Sequence, residues 1–87
     1  MKIKKGFVIR KVGGDSVVVP VGEMSKKFHG MINLNETGAF LWRILEKGSD
    51  EKGLLDALLS EYDVSEDIAA KDVKTFIDKL TEAGLVK

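Results

Sequence analysis

NLNETGAFLWRIL, residues 33–45, decides how the rest of the chain is read. Asn35 is placed to cap a helix, because its side-chain oxygen can accept from the free N–H groups of a first helical turn. Glu36 suits the positive end of the helix dipole. Gly48 can end the helix with a positive φ. Advancing about 100° per residue from Leu41 puts Leu45, Gly38, Trp42 and Ala39 on one side and Phe40 and Ile44 on the other. Only a wedge holding Glu36, Arg43, Glu46 and Lys47 is polar. A helix this apolar has to be covered from two directions, which makes it a central post with strands on one side and helices on the other. Gly38 costs about 1 kcal/mol against alanine inside a helix, and a close backbone crossing would account for it.

Upstream, the chain reads as strands. FVIRKV (7–12) is β-rich, GGD (13–15) is a turn, and SVVVPV (16–21) is a second strand. Its four valines predict burial on both faces, and Pro20 belongs at a strand end or bulge. GEMSKK (22–27) is a connector, and FHGMINL (28–34) a third short strand weakened by Gly30. Downstream come two more helices. Ser49 or Asp50 caps one that runs to about Tyr62 and carries Leu54, Leu55, Leu58 and Leu59 on one face. Ser65 caps the other, with Ala69, Val73, Phe76, Ile77 and Leu80 at helical spacing. Gly84 ends that helix, and Leu85 and Val86 fold back as an apolar tail. The fold class expected is α+β, winged-helix-like, with three N-terminal antiparallel β-strands followed by three α-helices. With neither repeats nor a linker, residues 1–87 are expected to form a single domain.

Composition removes several functions. There is no cysteine, hence no disulfide, thiolate metal site or thiol nucleophile. No apolar run approaches the ~20 residues that span a bilayer, and the basic N-terminus lacks a signal-peptide core. The expected location is cytoplasmic, with no membrane partner. His29 is the one histidine, and no serine sits in a G-x-S-x-G setting. No catalytic residue, metal ligand or cofactor is assigned, so the chain is not expected to be an enzyme.

Charge is distributed unevenly although it sums to zero. Residues 1–33 hold seven Lys or Arg against two acids, and residues 49–87 hold ten acids against five Lys. A DNA-binding regulator is the alternative function that a winged-helix arrangement raises. The two C-terminal helices argue against it, because phosphates repel acidic faces. An open strand edge beside a helix suits peptide binding better: the edge offers unpaired N–H and C=O groups, and neighbouring pockets read side chains. FHGMINL and AAKDVKTFIDKL (69–80) would form the two walls. Against this, Lys26 and Lys27 would serve only to protect the edge from aggregation. Pairing of that edge between two copies would give a weak homodimer rather than a monomer.

Beyond these patterns, three segments in order carry a resemblance. They are N-x-T-G-A-x-L-W (Asn35, Thr37, Gly38, Ala39, Leu41, Trp42), YDVS (62–65) and L-x-x-A-G-L (Leu80, Ala83, Gly84, Leu85). Together they resemble the PqqD family, small proteins named for pyrroloquinoline quinone biosynthesis, over nearly the whole chain. The resemblance implies a RiPP recognition element. Such a domain binds the leader segment of a ribosomally made precursor peptide as an added strand and presents it to a radical SAM enzyme. The groove residues expected from topology are Phe28, His29, Gly30, Met31, Ile32 and Asn33 on the strand side. On the helix side they are Lys71, Lys74, Thr75 and Asp78, with the lysines facing an acidic leader.

Overall fold

The computed structural model describes residues 1–28 and 30–86. Its elements run β1 (Phe7–Val12), β2 (Asp15–Pro20), α1 (Met24–Lys27), β3 (Ile32–Leu34), α2 (Glu36–Lys47), α3 (Glu51–Glu61) and α4 (Glu66–Glu82). The strands form one antiparallel sheet in the order β1-β2-β3. β1 and β2 meet through a two-residue turn, with Val12 opposite Asp15 and Gly13 at φ 64. A positive φ at the first turn residue is the glycine position of a II′ hairpin.

The pairing register assigns the two faces. Ile9 lies opposite Val18, Val18 opposite Ile32, and Ser16 opposite Leu34. With Phe7 these residues line the inner face, where Phe7, Ser16, Val18 and Leu34 are buried. The outer face carries Val8, Val17 and Val19, all half-buried, and exposed Arg10 and Asn33. The expectation that the valine strand is covered on both sides is therefore corrected. The helices pack on one face only, and Val17 and Val19 look outward.

Two further expectations change. GEMSKK contains the single helical turn α1, ended by Phe28 in an extended conformation. The third strand is three residues long rather than seven. Gly30 has φ 133, a conformation that takes the chain out of a strand and that side-chain-bearing residues rarely adopt. Phe28 turns inward and meets Phe7 edge-on at 5.2 Å. Pro20 is the last residue of β2, where its missing N–H costs the ladder nothing.

All three long helices begin at side-chain caps. Asn35 accepts from the Gly38 N–H at 2.9 Å, Asp50 from Gly53 at 2.7 Å, and Ser65 from Ile68 at 3.3 Å. α2 is the central post. Gly38, Ala39, Leu41, Trp42 and Leu45 are buried, while Phe40 and Ile44 are half-covered. Phe40 stacks edge-on with Tyr62 at 5.5 Å. Gly38 is explained differently from the expectation. A Cβ there would sit 3.1 Å from Asn35 Oδ1 and 3.3 Å from Leu34 side-chain atoms. The crowding thus comes from the helix's own cap and entry residue, not from a crossing backbone.

The core gathers Val18, Trp42, Leu45, Leu54, Ala69, Leu80 and Leu85, each at 0% exposure. The Trp42 indole N–H is buried and, among the described residues, has no acceptor. Such a group costs about 1–3 kcal/mol, which burial of the large ring offsets. The two ends of the chain clasp each other. Lys4 N–H donates to the Leu85 carbonyl at 2.7 Å and Ile3 bridges Val86, while Ser49 N–H, from the α2–α3 connection, ties down the Met1 carbonyl at 3.0 Å. That clasp holds Leu85 in the core and leaves β3 untouched.

Candidate functional site: the free edge of β3

In an antiparallel ladder, hydrogen-bonded pairs alternate with pairs whose N–H and C=O groups point away from the partner. The β1–β2 hairpin turn sets the phase, and the Val21 N–H donating to the Gly6 carbonyl at 2.8 Å continues it. Asp15, Val17 and Val19 of β2 therefore bond to β1, and Ser16 and Val18 bond to β3. On β3 it follows that Leu34 and Ile32 use their backbone groups on β2. Asn33, opposite Val17, directs both its N–H and its C=O to the other side. Among the described residues no strand pairs with that side.

A side chain already touches this edge. The Lys79 ammonium donates to the Asn33 carbonyl oxygen at 3.2 Å. This contact places α4 beside β3 and defines a groove between them. The groove holds about 210 Å³ and is lined by Leu34, Asn35, Thr37, Gly38, Leu41, Asp72, Thr75, Phe76 and Lys79. Leu34, Leu41 and Phe76 give it an apolar floor continuous with the core. Asp72 and Lys79 give it one charge of each sign, and the Asn35 cap with Thr37 brings the start of α2 to its rim. Residues 72, 75, 76 and 79 form one helical stripe.

The structure brings together some of the residues expected for the groove and separates others. Asn33 lies on the free edge, and Thr75 lines the groove. Met31 is 65% exposed just before β3. Ile32 points its side chain inward and its backbone toward Val18. Gly30 is exposed on the approach, Phe28 packs on Phe7, and His29 lies outside the described residues. Lys71 is exposed, and Lys74 pairs with Asp78 at 3.4 Å on the surface. Lys71, Lys74 and Asp78 do not line the groove.

The groove residues that sequence reasoning missed are Asp72, Phe76 and Lys79 on α4, with Asn35, Thr37, Gly38 and Leu41 on α2. A signal for the α4 set existed. Residues 71, 74 and 78 lie opposite the buried stripe Ala69, Val73, Phe76 and Leu80, and so look into solvent. A groove floored by the core has to open on the flank of that stripe, about one residue (100°) round the helix. Asp72, Thr75 and Lys79 occupy that flank.

Among the described residues no three His, Cys, Asp or Glu side chains come together as a metal site, and no helix is long and apolar enough to cross a membrane.

The fold has solved counterparts. TbiB1, solved in complex with the TbiA(beta) leader peptide, is similar with a TM-score of 0.76 and 23% identity, over 100% of this chain and 95% of that one. A lasso peptide synthetase B1 complexed with the leader peptide gives a TM-score of 0.72 and 21% identity, over 99% and 95%. At these identities the likeness concerns the fold. A search of curated protein sequences finds no match. The model of the family described as coenzyme PQQ synthesis protein D, PqqD, matches residues 16–86, and the chain belongs to that family.

Proposed function

We propose that this chain is a single peptide-recognition domain that captures the leader of a ribosomally made precursor as a fourth strand on β3. The observation that carries the reading is the outward-facing Asn33 backbone beside a groove floored by Leu34, Leu41 and Phe76. Main-chain hydrogen bonds supply affinity in such strand addition, and side-chain pockets supply selectivity. Family membership supports the reading, as do two proteins of the same fold solved with leader peptides. The modifying partner is a radical SAM enzyme, to which this domain presents the peptide without chemistry of its own. An affinity in the micromolar to sub-micromolar range, about −8 to −10 kcal/mol, suits an interface of this kind.

The test is a ¹H–¹⁵N titration with the leader of a short precursor encoded beside a radical SAM enzyme. Shifts concentrated at Met31, Asn33, Thr37, Thr75 and Lys79 support the reading. Shifts confined to β1 or to α3 refute it.

A further inference from the structure

Resting on that reading, we propose that Lys79 is the specificity-determining residue of the groove: it guards the Asn33 carbonyl in the free protein and pairs with a carboxylate of the bound peptide. Four observations converge on it. The Lys79 ammonium occupies the carbonyl that an incoming strand's N–H must reach, at 3.2 Å. An added strand's N–H competes with the ammonium for this oxygen, and a lysine displaced from it is still tethered beside the groove by its place on α4. Among the described residues Lys79 has no carboxylate partner of its own, since the surface ion pairs join Lys52 to Asp56 and Lys74 to Asp78. Asp72 shares the groove, but stands two turns away on α4, about 10 Å along the axis. Finally, the first turn of α2 opens at the same groove, and its N–H groups favour negative charge.

The displaced ammonium needs a new partner, and a peptide Asp or Glu beside Asn33 supplies one. A neutral peptide leaves it to water, and a peptide lysine at that position meets repulsion. The guard also has a use without peptide. A cation over a free strand edge discourages pairing with a second copy. Of the lysines expected to do this, Lys26 and Lys27 sit on α1 instead. The contact that protects the edge thus also selects what opens it.

The experiment uses the full chain and a displayed library of extended nine-residue peptides, randomised at every position. The wild type is expected to enrich Asp or Glu over Asn or Gln at one position, about two- to fivefold, the size of an exposed ion pair, and less at high salt. K79E is expected to reverse that preference toward Lys or Arg at the same position, while K71E, an exposed position on α4 outside the groove, leaves it in place. Thermal melts of both variants check that the fold is kept, as expected for substitutions on the outer flank of α4. Peptides selected without an acidic position, or an acidic preference unchanged by K79E, overturn the role of Lys79 and leave strand addition standing. If neither protein selects any peptide, strand addition itself falls, and the role of Lys79 with it.

Discussion

Among the described residues the sheet has two free edges, and they differ in what stands beside them. β1 is six residues long and turns the backbone groups of Phe7, Ile9 and Lys11 outward. β3 is three residues long and turns out those of Asn33 alone. By count of hydrogen bonds β1 is the better template for an added strand. Yet the groove lies at β3, because α4 runs alongside and Leu34, Leu41 and Phe76 floor the gap. Backbone bonds to an edge are available to any extended chain and to water alike. Selectivity and net affinity come from apolar and charged side chains that a wall holds in place. In the proposed reading it is the wall, rather than the length of the edge, that makes β3 the peptide site.

The largest effect is expected at Ile32. Its N–H points inward to Val18, so Ile32→Pro removes a ladder bond and loosens β3 from β2. A loss of at least 1–3 kcal/mol (about the cost of one orphaned partner) is expected in urea unfolding, with the groove lost as well. Asn33→Pro separates the two effects. Its N–H faces the free edge, so stability is expected to change little while peptide affinity falls about tenfold or more, as read by calorimetry. Lys11→Pro is the matching change on β1, and affinity is expected to stay at the wild-type value. If Lys11→Pro weakens binding as much as Asn33→Pro, the two edges are equivalent and the wall is irrelevant.

Filling the groove sharpens the same point. Thr75→Trp adds a large ring at the rim without touching the core, and is expected to cut affinity several-fold with an unchanged melt. The smallest effect expected is at the cap. Asn35→Ala removes the acceptor for Gly38 N–H and costs about 1 kcal/mol of stability. Its effect on binding is correspondingly slight, measured as a shallow drop in the urea midpoint and in affinity.

Much of this was legible in the sequence, for identifiable reasons. Asn35, the Ser49–Asp50 pair and Ser65 announced the helix starts because a cap is a local device, and the structure gives the second cap to Asp50. The periodicity of α2 and α4 announced the buried stripes, since burial follows helical repeat. The length of β3 was not legible, because the apolar alternation of FHGMINL continues through Gly30, whose φ of 133 breaks the strand. Phe28 reads as a strand residue and instead packs on Phe7, a contact that joins distant segments. The free edge itself could be anticipated from three strands and a following helix. Which flank of α4 faces it depends on how that helix is rotated on the core. That rotation shifts the wall from Lys71, Lys74 and Asp78 to Asp72, Phe76 and Lys79, with Thr75 common to both.

Residue-by-residue amide hydrogen exchange in the peptide-free protein is the sharpest test of strand addition at β3. Ile32 and Leu34 are expected to be protected and Asn33 to exchange rapidly, with Asn33 alone of the three slowing when a peptide selected from the library is added. An Asn33 amide already protected in the peptide-free monomer, or one left unprotected at saturating peptide, contradicts strand addition at β3.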